Sequence, residues 1–202
     1  MTDKLFEIIK QVQNHAQQNY VPIVRPQTLQ KLLEVCKERG VERVLEIGTA
    51  TGYSGLNLLT IPNLSLTTIE KEEGRFMQAK ENFALAEVES RVEQICGDAG
   101  QVLQKLADDG RKVDLVFLDG PKGQYKKYLQ NIVKLLKKSG IIFADNILLG
   151  GLLNDESRVT HKNRTMVRNM KEFLSVICDE TCFESKIYQI EDGFAICEVK
   201  NF

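Results

Sequence analysis

Histidine is scarce in this chain: His15 and His161 are the only two among 202 residues. So few imidazoles leave little from which to build a zinc site, although five cysteines are present. The cysteines, at 36, 96, 178, 182 and 197, are odd in number and lie mostly in apolar stretches. That fits free thiols in a reducing compartment better than a disulfide framework. No apolar run reaches the length of a membrane span. The N-terminal Met1-Thr-Asp-Lys-Leu-Phe-Glu lacks the apolar stretch of a signal peptide. A cytoplasmic protein with no membrane partner is therefore expected. Excess charge is missing too, and a formal net charge of −1 argues against non-specific nucleic-acid binding by the whole surface. There is no internal repeat, low-complexity tract or linker. What remains, 43% hydrophobic and 27% charged residues, is the composition of an ordinary globular protein long enough for a full core. A single domain over 1–202 is expected, with 1–39 as an N-terminal helical cap.

The most informative stretch is Val44-Leu-Glu-Ile-Gly48-Thr-Ala-Thr-Gly52-Tyr53-Ser54-Gly55. An apolar run from Arg43 to Ile47 breaks into glycines and then into a helical pattern from Tyr53 to Leu59. Such a strand, turn and helix present backbone N–H groups at the carboxyl edge of a sheet, where nucleotide-like cofactors bind. The spacing narrows the cofactor. A dinucleotide fingerprint needs G-x-G-x-x-G, but Thr49 and Ala50 follow Gly48; a P-loop needs G-K-[ST], but Tyr53 follows Gly52. The glycines alone also suit an ordinary strand–helix turn. Leu64 to Glu70 reads as the next strand and ends in a carboxylate. In such βαβ units an acid about 20 residues past the first glycine reaches the two ribose hydroxyls of an adenosine. A solvated strand end is the plainer alternative for Glu70.

Strand and helix signals alternate along the rest of the chain. Helices are expected over Leu5–Gln18, Pro26–Arg39, Glu72–Ala86, Val102–Leu106, Tyr125–Leu136 and Asn163–Ile177. Strands are expected over Val92–Cys96, Val113–Leu118 and Gly140–Ala144. Lys186–Ile190 and Phe194–Val199 form a closing hairpin across Asp192-Gly193. Five strands alternating with helices, then a hairpin, spell an α/β fold: a doubly wound, seven-stranded, mostly parallel sheet with a C-terminal antiparallel hairpin.

In that layout Glu46, Glu70, Asp98, Asp119 and Asp145 fall at or just after the carboxyl ends of strands, where open α/β sheets bind ligands. If the strands before Asp119 and Asp145 pair, their tips lie about 5 Å apart. Two carboxylates and the amide oxygen of Asn146 suit a hard, oxygen-loving divalent ion such as Mg²⁺. Asp145 and Asn146 as mere turn caps are the equal alternative.

The set Glu-Ile-Gly-Thr-x-x-Gly-Tyr-Ser, Glu70, Gly97-Asp98-Ala99, Phe117-Leu-Asp119-Gly-Pro-Lys122 and Ala144-Asp145-Asn146 resembles the cation-dependent S-adenosylmethionine O-methyltransferases of catechol and caffeoyl-CoA type. The match runs from about Tyr20 to Val199. Within the class, three features are most similar to the bacterial tRNA 5-hydroxyuridine methyltransferases. They are Val21-Pro-Ile-Val, Asp119-x-x-Lys-Gly-Gln-Tyr125, and Asn163-Arg-Thr-Met-Val-Arg with Asp192-Gly193-Phe-Ala-Ile. The resemblance implies a Rossmann-like class I methyltransferase that binds S-adenosyl-L-methionine and Mg²⁺ or Mn²⁺, and a homodimer. It implies that Glu46, Gly48, Tyr53 and Ser54 cradle the methionine part of the cofactor, and that Glu70 holds the ribose. Asp98 and Ala99 then flank the adenine, and Asp119 belongs to the cofactor side as well as to the metal set Asp119, Asp145 and Asn146. Lys122 matches the general base of the class. Gly120-Pro121 departs from the class pattern directly after Asp119, which bears on Lys122's reach.

The acceptor is read from charge. Between Pro121 and Ala144 there are six lysines and no acid; between Ser157 and Lys171 there are five basic residues and no acid. Solvated helix faces account for Lys134, Lys137 and Lys138. Arg158, Arg164 and Arg168 are assigned to substrate, contacting the backbone of a tRNA anticodon stem-loop whose 5-hydroxyuridine becomes 5-methoxyuridine at the wobble position. The alternative is a small catechol-like acceptor. Two other classes are disfavoured: a dinucleotide-dependent oxidoreductase by the missing fingerprint, and a silent RNA-binding or cofactor-sensing module by the intact Asp119, Asp145 and Asn146 set.

Overall fold

The computed structural model describes residues 3–200; Met1, Thr2, Asn201 and Phe202, the ends of the expected domain, lie outside the described residues. Two compact units divide the chain, one running to Val102 and the other starting at Leu103. Seven strands are ordered β3-β2-β1-β4-β5-β7-β6 in one sheet. This is the mixed α/β arrangement expected.

In the first unit, β1 (Arg43–Ile47), β2 (Ser65–Glu70) and β3 (Val92–Cys96) run parallel, with Ile47 opposite Ile69 and Glu70 opposite Cys96. Two-sided burial explains the near-continuous apolar run of β1. Helix α1 (Asp3–Gln18) buries Leu5, Ile8, Ile9, Val12 and Ala16, the spacing of one helical face. Helix α2 (Pro26–Glu38) starts on the proline, whose fixed φ suits a first turn, and buries Leu29, Leu32, Val35 and Cys36. The short α3 (Tyr53–Leu58) lies close to β2 and to α4 (Glu73–Leu85) because Gly55 has no Cβ. One placed there would stand 2.7 Å from Leu66 and 3.0 Å from Phe83. The guanidinium of Arg91 donates to the carbonyls of Leu59, Ile61 and Leu64, closing the exit of α3 onto the start of β2.

The unit boundary falls within α5 (Ala99–Asp108). In the second unit, β4 (Val113–Leu118) and β5 (Leu136–Asp145) are parallel. After α6 (Tyr125–Leu135) and α7 (Arg164–Ile177), β6 (Phe183–Tyr188) and β7 (Phe194–Val199) add the antiparallel edge, with β7 against β5. Phe143 packs edge-on against Phe117 and stacks on Phe194, with ring centres 5.8 and 5.1 Å apart. Among the described residues no helix is long and apolar enough to cross a membrane.

Three elements differ from expectation. Helix α5 begins at Ala99, three residues early, because Asp98 accepts the Gly100 N–H at 3.0 Å and caps it. Strand β5 begins at Leu136, not Gly140: Ser139 turns through a positive φ of 59° and the register against β4 shifts between Val113 and Leu115, so the strand continues past an irregularity. Lys137 and Lys138 therefore sit on a strand, and Lys137 is paired with Asp114 instead of solvated. Strand β6 begins at Phe183, not Lys186, and ends at Tyr188, not Ile190. Asp192 and Gly193 turn their carbonyls to the N–H groups of Leu148 and Ile147, each at 3.0 Å, so the hairpin loop binds the segment after β5 instead of extending its own ladder.

Candidate active site

The turn after β1 is shaped by left-handed backbone. Gly48, Ala50 and Gly52 have φ of 102°, 45° and 84°. Only Ala50 carries a Cβ, so it holds a strained conformation of the kind that clusters at ligand-binding loops. Its N–H donates to Glu70 Oε2 at 2.9 Å. Glu70 Oε1 accepts the N–H groups of Lys71 and Glu72, both at 2.9 Å. The carboxylate at the end of β2 thus holds the turn after β1 and its own exit. Beneath the turn, Glu46 is fully buried, accepts from Ser54 Oγ, and accepts from Thr68 Oγ1 at 2.6 Å. Thr49 Oγ1 lies 2.6 Å from the same Thr68 hydroxyl. Glu46 and Ser54 therefore bond to one another in a buried network. Thr51 Oγ1, in the middle of the turn, is buried without a partner.

Tyr53 starts α3 and is 7% exposed; burial raises its phenol above the usual range. Asp98 receives the Lys71 ammonium at 3.3 Å, and that contact, with the N–H groups of Gln101 and Gly100, holds its carboxyl below the usual range. Ala99 is buried behind it. Of the expected cofactor residues in this unit, Glu46, Gly48, Ser54 and Glu70 meet around one turn, while Asp98 and Ala99 stand at the start of α5.

The second unit holds the other set. Leu118 lies opposite Ala144 in the β4–β5 ladder, so Asp119 and Asp145 follow neighbouring strands at one level. Asp145 is 2% exposed and its Oδ1 accepts the Asn146 N–H at 2.6 Å. Asn146 turns through a φ of 55°, which asparagine tolerates better than most residues. Burial, then the charge of Asp119, push the Asp145 carboxyl up to about 7, and Lys122 offsets this only in part. Lys122 Nζ donates to Asp119 Oδ1 at 2.9 Å and to the Tyr125 hydroxyl at 3.0 Å. Its reach survives the Gly120-Pro121 departure, because Pro121 opens a 3₁₀ turn over Lys122–Gln124 that aims the side chain back at Asp119. Burial pulls the Lys122 ammonium down, but Tyr125 and Asp119 outweigh it and hold it above its ordinary range. Lys122 here is a charged ammonium. Among the described residues no group of three or more His, Cys, Asp or Glu side chains is arranged around a metal position. The candidate set is two carboxylates and an amide, with the Lys122 ammonium on Asp119 as its one neighbouring cation among the contacts described.

Sequence reasoning did not single out Tyr125, Thr51 or Thr68. Tyr125 stood in the sequence as a helix start and as the last residue of a motif, with no role of its own, and the two threonines only as β-branched residues in a turn and a strand.

The basic segments are less bare than their sequence. Lys126 pairs with Glu172 at 2.7 Å, and Arg168 lies 3.9 Å from the same carboxylate. Arg158, Arg164 and Arg168 are all exposed, with Arg164 and Arg168 one turn apart on α7. The Asn169 amide donates to the Gly123 carbonyl at 2.8 Å, tying α7 to the turn that bears Lys122.

A family model described as O-methyltransferase matches residues 2–200. A caffeoyl-CoA O-methyltransferase from Populus kitakamiensis is 30% identical over 183 residues, 88% of this chain and 77% of its own length. A catechol O-methyltransferase from Mycobacterium tuberculosis is 32% identical over 163 residues, 78% of this chain and 72% of its own. Among solved structures, the O-methyltransferase TomG from Streptomyces achromogenes, involved in tomaymycin synthesis and determined in complex with SAM, is similar at 26% identity. Its TM-score is 0.85, over 96% of this chain and 90% of that one.

Proposed function

The chain belongs to the O-methyltransferase family, and we propose that it transfers a methyl group from S-adenosylmethionine, with a divalent cation, to the 5-hydroxyl of 5-hydroxyuridine at the tRNA wobble position. The observation that carries the chemistry is the pair Asp119 and Asp145, level on adjacent parallel strands, with Asn146 next in the chain.

The residues fit both absent groups. The turn from Gly48 to Gly52 holds an unpartnered buried hydroxyl and a strained alanine beside an anchored carboxylate. Gly48, Tyr53 and Ser54 would hold the methionine part of S-adenosylmethionine, with Glu46 bracing Ser54. Glu70 would hold the ribose, and Asp98 and Ala99 would flank the adenine. On the second unit, burial first and then the Asp119 charge raise the Asp145 carboxyl, so two oxygen donors stand close together at one buried place. Asp119, Asp145 and Asn146 would ligate Mg²⁺ or Mn²⁺ through oxygen. When bound, S-adenosylmethionine supplies a sulfonium methyl, and the cation a Lewis acid that lowers the acceptor hydroxyl's pKa.

The chain's own residues then orient and deprotonate. Lys122 accepts a proton at Nζ only after the ammonium has released one of its own to solvent, and Asp119 and Tyr125 oppose that release, so its role as base requires that Asp119's charge be engaged elsewhere. Arg158, Arg164 and Arg168 are exposed donors suited to phosphate. Reversing Arg164 and Arg168 to Glu together should cut methylation of 5-hydroxyuridine-containing tRNA at least tenfold and flatten its salt dependence. Methylation of a small catechol should change less than about twofold, since that acceptor carries no phosphate to repel.

A catechol- or caffeoyl-type acceptor is the second reading. It is favoured by the names of the two relatives above and by the vicinal oxygens that such acceptors share with 5-hydroxyuridine. Normal tRNA methylation by the double variant, or acceptance of catechols alone by wild type, would install it.

A further inference from the structure

We propose that Tyr125 is a positioning residue for methyl transfer: its hydroxyl, braced by carbonyls at the ends of β4 and β5, fixes the direction of Lys122. The inference rests on the reading of Lys122, Asp119 and Asp145 as the reacting side of the site.

Tyr125 is the first residue of α6 and is fully buried. Its ring meets Phe173 of α7 edge-on, with centroids 5.5 Å apart at 72°. A buried phenol needs one partner for its proton. This one has three polar neighbours. It lies 2.8 Å from the Leu118 carbonyl and 3.3 Å from the Asp145 carbonyl, and it accepts from Lys122 Nζ at 3.0 Å. Leu118 is the last residue of β4 and Asp145 the last of β5. One hydroxyl therefore touches the backbone at both strand ends that carry the candidate carboxylates, and it turns its lone pair to the lysine.

The consequence is directional. An ammonium has three N–H groups in tetrahedral array. Held by Asp119 alone, Lys122 would rotate freely about that contact. Tyr125 sets a second direction, and when Lys122 parts from Asp119 to act as base, the hydroxyl is the contact that still holds Nζ. The supporting wall is rigid: the Asn169 amide holds the Gly123 carbonyl from α7, and Phe173 holds the ring. Tyr125 thereby sets the direction from which Lys122 meets an acceptor oxygen, without touching that oxygen.

The test is a double-mutant cycle on methyl transfer, with Tyr125→Phe, Lys122→Ala and the pair. It is run with 5-hydroxyuridine-containing tRNA and with catechol as acceptors, and S-adenosylmethionine binding is followed by calorimetry. Tyr125→Phe keeps the ring against Phe173. It should lower kcat about 10- to 100-fold, the size expected when a hydrogen bond to a charged group is lost, with cofactor affinity unchanged within about twofold. In the Lys122→Ala background the same substitution should lower kcat less than about twofold, because its effect passes through the lysine. Equal losses in both backgrounds would assign Tyr125 a merely structural role and overturn the inference. So would wild-type turnover of Tyr125→Phe. Wild-type turnover of Lys122→Ala would instead overturn the underlying reading of Lys122, and this inference with it.

Discussion

Glu70 shows how much one side chain can hold. Its two oxygens accept three backbone N–H groups, from Ala50, Lys71 and Glu72. Glu70→Ala should weaken S-adenosylmethionine binding by about 1.5–3 kcal/mol and also lower the melting temperature of the ligand-free protein, because the same carboxylate holds the turn. Calorimetry and thermal denaturation read the two effects separately, and wild-type affinity in the variant would end the ribose assignment. Thr51 makes the opposite prediction. Its hydroxyl is buried without a partner, so Thr51→Val should raise the stability of the ligand-free protein by about 1 kcal/mol. A fall in melting temperature would show that the hydroxyl has a partner. Strand-end acids were legible in the sequence because position alone marks them: Glu70, Asp119 and Asp145 close apolar runs. The network of Glu46 was not. Its partners Ser54 and Thr68 lie 8 and 22 residues away, and nothing in a local pattern separates a buried, fully engaged glutamate from an exposed one. Tyr125 was hidden for the same reason, since its partners are main-chain carbonyls on two strands.

At the scale of elements, the hairpin loop and the segment after β5 hold each other. Gly193 has a φ of 71°, and a Cβ there would overlap Leu148 Cγ. Gly110 has a similar φ of 69° with nothing near its missing Cβ. Gly110→Ala should therefore lose about 1 kcal/mol, from backbone strain alone. Gly193→Ala should lose about 1–3 kcal/mol more, from the overlap. Urea unfolding of the two variants isolates the packing contribution; equal losses would mean that Leu148 moves away without penalty. Periodicity gave the existence and type of every helix and strand, because each has one apolar face or is buried on both. It missed where α5 and β5 begin and both limits of β6. The start of β5 and the end of β6 depend on Ser139 in a left-handed conformation and on carbonyls of Asp192 and Gly193 that bond outside their own hairpin.

At the scale of the molecule, burial sorts the five cysteines. Cys36 and Cys197 are buried and their thiols are pushed up to about 12, Cys36 by burial alone and Cys197 by burial foremost. Cys96 and Cys178 are exposed, and Cys182 is half-buried. A thiol-reactive disulfide reagent should label Cys96 and Cys178 fast in the native protein, and Cys36 and Cys197 only on unfolding. Fast native labelling of either buried cysteine would contradict the packing described. A mostly parallel sheet with an antiparallel edge was readable from alternation and the closing hairpin; the order of its strands was not, since that depends on which strands pair across the crossovers. The chemistry of the acceptor was not, since one run of exposed arginines suits any phosphorylated partner.

Methyl transfer under metal control tests the central claim most directly. Labelled S-adenosylmethionine, the protein and an acceptor with vicinal oxygens are combined with a chelator, and Mg²⁺ or Mn²⁺ is then added back. Transfer should stop in chelator and return with either cation, while Asp145→Ala should remain inactive after the cation is restored. Full turnover in chelator, or in Asp145→Ala, would contradict the account.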